Sequence, residues 1–137
     1  MIRIQHDDFD IAAEVAALRA AGVGAVVTFS GVVRGEVSAL TLEHYPGMTE
    51  REIARHVEGA QSRWPLLGVT VIHRIGRLLP GDNIVLVAAS SAHREAAFKA
   101  CEFLMDYLKT KAPFWKQEGD AWVEAKASDA EAAKRWD

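Results

Sequence analysis

Six consecutive apolar residues, Ile84-Val-Leu-Val-Ala-Ala89, constrain this chain more than any other stretch. An alternating strand leaves one face in water. This run is apolar on both faces, so it reads as a strand in the middle of a sheet, covered on each side. It is far too short to span a bilayer. Leu79-Pro-Gly-Asp82 before it is a strong turn signal. After it, Ser90 or Ser91 offers a cap for a helix that runs to about Lys109. Phe98, Cys101, Met105 and Leu108 recur along that helix as a core stripe, and Lys99, Glu102, Asp106 and Lys109 as a polar one.

The remaining elements follow from the same patterning. Ile2 to Gln5 is a short strand. Asp10 to Ala21 is a helix with Ile11, Val15 and Leu18 on one face and Gly22 as its stop. Ala25 to Phe29 is a buried strand that runs on through Arg34 to the flexible Gly35. Ser38 to Tyr45 alternates, a half-solvated strand. Pro46-Gly47 turns the chain. Thr49 opens a helix, with Glu52 completing a capping box and Ile53, Val57 and Ala60 buried; it ends before Pro65. Gly68 to Ile75 is a strand with Val69, Val71, His73 and Ile75 on one face. Trp122 to Ala125 reads as a short strand, and Ser128 with Glu131 caps a helix through Trp136. The order β-α-β-β-α-β-β-α-β-α predicts an α+β fold: helices packed against a mixed or antiparallel sheet, in a single domain. No GxGxxG, GxxxxGK[ST] or internal repeat is present.

A length of 137 residues suits one domain with a real core, and 50% apolar with 26% charged residues is ordinary globular composition. The formal net charge of −3 argues against non-specific nucleic-acid binding. A single cysteine, Cys101, allows no internal disulfide and fits a reducing compartment. The first eight residues lack a signal-peptide apolar core. A cytoplasmic location is the expectation.

Against that acidic background the chemically interesting residues are mostly basic. Lys109, Lys111 and Lys116 fall around Pro113-Phe114-Trp115. Pro113 ends the helix, so Lys109 and Lys116 stand on opposite sides of a sharp change in direction. That arrangement can build one pocket from two elements. Lys109 is also what helix electrostatics alone would place in a last turn, where it can pair with Asp106. His93-Arg94 sits where a strand end feeds a helix N-terminus, a place for phosphate or carboxylate recognition, or for a plain cap and a solvated arginine. Arg34 ends a strand, as a ligand contact or a surface arginine. Lys126 is a weaker candidate. His44, His56, His73 and His93 are dispersed without metal-ligand spacing, so no metal site is expected. His73 reads as packed or hydrogen-bonded, and Cys101 as inert. A basic pocket in an acidic protein implies an anionic small molecule or a partner's carboxylate tail. Residue chemistry alone leaves phosphate, carboxylate and nucleotide open, and leaves a non-catalytic anion-binding or protein-interaction module as the alternative to an enzyme.

Long runs of the chain resemble one family. They are Gly24-Ala-Val-Val-Thr-Phe-Ser-Gly31 with Val33-Arg34, and Leu40-Thr-Leu-Glu-His-Tyr-Pro-Gly-Met-Thr-Glu50. Val71-Ile-His-Arg-Ile-Gly76, Pro80-Gly-Asp82 and Ser91-Ala-His-Arg94 follow. Phe103-Leu-Met-Asp-Tyr-Leu-Lys-Thr-Lys-Ala-Pro-Phe-Trp-Lys116 and Trp122-Val-Glu-Ala-Lys126 complete the set. Together these resemble the large, catalytic subunit of molybdopterin synthase, over nearly the whole chain. The resemblance implies an α/β hammerhead-like fold and a sulfurtransferase that needs no cofactor. It implies a homodimer, each end binding a small ubiquitin-like sulfur carrier to make a heterotetramer. The carrier's Gly-Gly tail, a thiocarboxylate, would enter a pocket holding cyclic pyranopterin monophosphate. By position, Lys116 and Lys109 match the family's catalytic lysines. Arg34, His93, Arg94, Lys126, Phe29 and Met105 match substrate-binding positions, with His93 and Arg94 reaching the site from the other protomer. Residues 31–50 and 110–126 would form the pocket and the partner contacts of one catalytic domain, 1–137. The chain departs from the pattern in its short Gly35-Glu36-Val37 loop, in Lys126 where an arginine is usual, and in the compact turn after Lys116.

Overall fold

The computed structural model of the chain describes residues 1–119, 121–123 and 127–137. Eight strands and four α-helices are assigned in it: β1 (Ile2–Gln5), α1 (Ile11–Leu18), β2 (Ala25–Val32), β3 (Leu40–His44), α2 (Met48–Arg63), β4 (Leu66–Arg74), β5 (Gly76–Leu78), β6 (Asn83–Ser91), α3 (Arg94–Thr110), β7 (Phe114–Glu118), β8 (Ala121–Val123) and α4 (Ala127–Ala133). A 3₁₀ turn, Lys134–Trp136, follows α4. The fold is α+β, but its strands make two sheets where one was expected. The first has the order β1-β4-β6-β2 and the second β5-β3-β7-β8. Among the described strands only β1 and β4 pair in parallel; the other pairs are antiparallel.

β6 lies between β4 and β2, as its apolar run requires, and Val85 through Ser91 are buried. The main core joins this sheet to α2 and α3 through Ile53, Val57 and Ala60 on one helix and Ala100, Cys101 and Leu104 on the other. A smaller core of Val33, Leu40, Leu42 and Leu78 lies under the second sheet. Full burial of a leucine contributes on the order of 2 kcal/mol, so even this small cluster gives the second sheet a reason to close.

Several local expectations are corrected. α1 stops at Leu18, short of Ala21, because Arg19 turns extended; Gly22 instead supplies a positive φ in the loop beyond. β2 stops at Val32, before Arg34. α2 starts from Gly47, whose N–H donates to the Glu50 carboxylate, so Thr49 and Glu52 are not its capping box. Ser90 and Ser91 finish β6, and His93 occupies the cap position of α3. Phe98 is 59% exposed and lies off the core stripe. α3 is packed on several sides at once, by the sheet under Ala97, Cys101 and Leu104, by α2 beside Phe103 and Tyr107, and by the C-terminal turn at Glu102, Phe103 and Asp106. Phe98 falls outside these sectors. The segment after Pro113, to which the sequence pattern assigned no regular element, is strand β7. β8 covers Ala121–Val123, and Ala125 lies outside the described residues. α4 begins at Ala127, ahead of Ser128, and the Glu131 carboxylate pairs with Lys134 at 2.9 Å.

Two contacts position the site. Thr49 is fully buried; its hydroxyl accepts from the Tyr45 N–H at 2.9 Å and donates to the Pro113 carbonyl at 2.8 Å. One side chain thus ties the end of β3, the start of α2 and the turn into β7. Thr49→Val keeps the shape and strands both partners, so unfolding in urea should show a loss of about 2 kcal/mol. Thr49→Ser should recover most of it. At the other end, the Trp136 indole packs edge-on to Phe103 and Trp64 and donates to the Asp106 carboxylate at 2.6 Å. Arg135 reaches the same carboxylate at 3.3 Å. Asp106 therefore serves the C-terminal turn.

Candidate functional site

α3 ends at Thr110, Lys111 to Pro113 turn the chain, and β7 returns beside β3. Register decides which β7 side chains face inward. Phe114, Lys116 and Glu118 pair opposite His44, Leu42 and Leu40, so they share the face of β3 that carries the buried leucines. Trp115 and Gln117 face the other way, and Trp115 is exposed.

A cavity of about 370 Å³ results. Leu40, Leu42, Ile84, Val85, Met105 and Phe114 supply apolar wall, and Lys109 and Lys116 both line it. The two lysines come from a helix end and a strand, as the turn at Pro113 predicted. Lys116 is 32% exposed along its side chain, and its ammonium lies 3.9 Å from the Glu118 carboxylate, two residues along the same strand face. A second hollow of about 530 Å³ adjoins. Phe29, Phe98 and Cys101 line it, and Met105, Lys109 and Asp129 belong to both hollows. Lys109 therefore stands on the wall between two adjacent spaces, the second the more open of the two.

The structure brings together four of the expected residues: Lys109, Lys116, Met105 and Phe29. It does not bring His93, Arg94 or Arg34 to them within one chain. His93 and Arg94 are exposed at the opposite end of α3, roughly 22 Å from Lys109 along the helix axis. Arg34 is exposed beyond β2 and lines neither hollow. Lys126 lies outside the described residues. Lys111 is exposed, 3.8 Å from the Asp137 carboxylate.

Sequence reasoning missed Glu118, Asp129 and His73 as cavity neighbours. Glu118 was recoverable in principle from i, i+2 spacing to Lys116, once 114–118 is known to be a strand. His73 was placed on a buried face without its cavity. Burial pushes its imidazole down to about 4, opposed by the hydrogen bond to the Arg74 carbonyl and reinforced by the charges of Lys109 and His44. Burial also raises the Cys101 thiol to about 11, so it stays protonated and weakly nucleophilic. Among the described residues no cluster of three or more His, Cys, Asp or Glu side chains could hold a metal ion. No described helix is long and apolar enough to cross a membrane.

What this geometry defines is an α+β protein with an apolar-walled slot lined by two lysines, Lys109 and Lys116. Such a slot accepts a narrow, anionic, largely apolar-flanked group. The comparisons are specific. A family model described as MoaE protein matches residues 4–111. The chain is 61% identical to the molybdopterin synthase catalytic subunit of Mesorhizobium japonicum, over 98% of this chain and 92% of that protein. It is 63% identical to that of Escherichia coli, over 82% of this chain and 81% of the other. Among solved structures, a molybdopterin biosynthesis MoaE protein from Burkholderia ambifaria superposes with a TM-score of 0.88 at 55% identity, covering 98% of this chain and 96% of that one. The chain belongs to the MoaE family, whose curated relatives here are catalytic subunits of molybdopterin synthase.

Proposed function

We propose that this chain converts cyclic pyranopterin monophosphate to molybdopterin, taking sulfur from the C-terminal thiocarboxylate of a small carrier subunit. The observation that carries the reading is the convergence of Lys109 and Lys116 on one cavity from two different elements. The slot between them suits a Gly-Gly tail, which has no side chains to exclude. Two ammonium groups at its end stabilise the tail's anion and the negative charge that develops when its carbonyl carbon is attacked. Lys116, backed by Glu118, is the residue most directly tied to the chemistry, and Lys109 gives electrostatic support.

The adjoining hollow, with Phe29 and Met105, is the place for the pterin. Its phosphate needs further cations, and Arg34, His93, Arg94 and Lys126 are the candidates. The exposure of His93 and Arg94 at the far end of α3 supports their reaching this site from a second copy of the chain. The working assembly is then a homodimer carrying two carriers, a heterotetramer, in a reducing cytoplasmic setting. Residues 31–50 and 110–126 are the pocket- and partner-forming segments of one catalytic domain: they include the β3 leucines and Lys116.

The experiment mixes the purified chain, thiocarboxylated carrier and cyclic pterin and measures dithiolene formation. Product is expected in proportion to thiocarboxylate consumed. Absence of product with a competent, matched carrier and substrate would sink the enzyme reading and leave the anion-binding module.

A further inference from the structure

The lysine cavity has one wall residue that the proposed chemistry does not use. His73, on β4, is 7% exposed and lines the same space as Lys109 and Lys116. Its ring stacks on Phe114, with centroids 4.0 Å apart and planes inclined by 21°. Its Nδ1 lies 2.8 Å from the Arg74 carbonyl oxygen. A carbonyl only accepts, so Nδ1 carries the hydrogen and donates. In the neutral ring that leaves a lone pair on Nε2. Burial and the nearby positive charge of Lys109 both hold the ring in that neutral form.

The other polar groups of the cavity make this unusual. Lys109 and Lys116 bear donors only, and the Thr110 hydroxyl donates its hydrogen to the Asp106 carbonyl at 2.6 Å, keeping lone pairs at the helix end. Asp129 is an acceptor but a charged one. His73 is an uncharged acceptor on the sheet wall, fixed in tautomer by the backbone and in orientation by Phe114. The lysines satisfy the anionic end of an entering tail. They offer nothing to its amide N–H groups, which lose water on entering an apolar slot and weaken binding if left unpaired.

We propose that His73 is a positioning and specificity residue of this site, its Nε2 accepting a hydrogen bond from an amide N–H of the carrier's Gly-Gly tail. This rests on the reading of the cavity as the tail's slot. It gives the site a way to read peptide from a bare anion: cations for the terminal charge, a neutral acceptor for the backbone behind it. A tail held at both points has its terminal carbonyl fixed against the lysines.

The test is calorimetric titration of the chain with two unactivated carriers, one full-length and one lacking the terminal Gly-Gly. Wild type should bind the full-length carrier more tightly. If it does not distinguish the two, the tail does not enter the cavity, and both the functional reading and this proposal fail. Given that tail dependence, His73→Phe keeps a ring against Phe114 and removes the acceptor. It should lose about tenfold in affinity for the full-length carrier and nothing for the truncated one. His73→Gln places an amide oxygen near the Nε2 position and should restore binding to within about threefold of wild type. Equal binding by His73→Phe and wild type overturns the role while leaving the functional reading intact; so does a failure of glutamine to rescue. Should His73→Phe not fold, nitrogen NMR of the wild type decides. Nε2 should be unprotonated in the free protein and shift with full-length but not truncated carrier. A protonated Nε2, or no shift, overturns the proposal.

Discussion

Lys116→Ala should lower dithiolene formation by about 10²- to 10⁴-fold, the range associated with removing one positioned acid, base or charge-stabilising group. Lys116 sits mid-strand, paired with Leu42 on one side and Val123 on the other. Its Cβ is therefore set by two ladders and its ammonium is held near Glu118. Such a group is preorganised, and little reorganisation offsets its loss. Carrier affinity should change only a few-fold, because the wall of Leu40, Leu42, Ile84 and Phe114 stays in place. Lys116→Arg separates charge from geometry: the guanidinium keeps the positive charge but is broader and does not give up a proton near neutrality. If Lys116 acts by proton transfer or attack, arginine should be nearly as poor as alanine; if it acts by charge alone, arginine should recover much of the rate. A Lys116→Ala chain that matches wild type in the same assay removes Lys116 from the chemistry.

The parts of this site legible in the sequence are those set by local pattern. The all-apolar run at 84–89 announced the central strand, because no other environment suits a strand without a polar face. Ile53, Val57 and Ala60 announced the buried face of α2, and Pro113 the turn that brings Lys116 back toward Lys109. What escaped depends on long-range pairing. Nothing local in Phe114-Trp115-Lys116-Gln117-Glu118 says that it lies beside Leu40–His44, more than seventy residues earlier. Without that pairing there is no second sheet, no inner face and no reason to single out Glu118. The Phe98 error has the same origin: a 3.6-residue stripe identifies one apolar face, whereas α3 is packed on several sides and leaves Phe98 in the second hollow. The Thr49 error was local. Gly47, at φ 85°, took the cap position that a threonine usually takes, and Thr49 was freed to bridge Tyr45 and Pro113. His93 and Arg94, expected from the resemblance to reach the pocket from the other protomer, stand within one chain at the far end of α3 from Lys109.

Acid should destabilise this fold in a window that His73 defines. Its imidazole titrates near 4 when folded and at about 6.5 when the chain is unfolded. Between those values the unfolded chain binds a proton that the folded chain refuses, so stability falls as pH falls. Its contribution is fully present above about pH 6.5 and lost by about pH 4, a total of roughly 3 kcal/mol for a displacement of this size. The groups that act on the ring sharpen the effect. Lys109 and His44 both disfavour a positive charge on the ring, and the hydrogen bond to the Arg74 carbonyl favours one. Asp8, whose carboxyl is lowered by its hydrogen bonds to Asn83 and Phe9, loses its stabilising contribution lower on the scale, below the usual carboxylate value of 3.8. The two losses therefore separate along the pH axis. Urea unfolding midpoints measured from pH 7.5 to pH 4 should decline steeply for the wild type. For His73→Phe, which has nothing to protonate at that position, the same series should be flatter by most of that 3 kcal/mol. Parallel pH profiles for the two proteins would mean that the His73 ring accepts a proton in the folded cavity, and a protonated ring could not offer the acceptor that the carrier tail is proposed to meet.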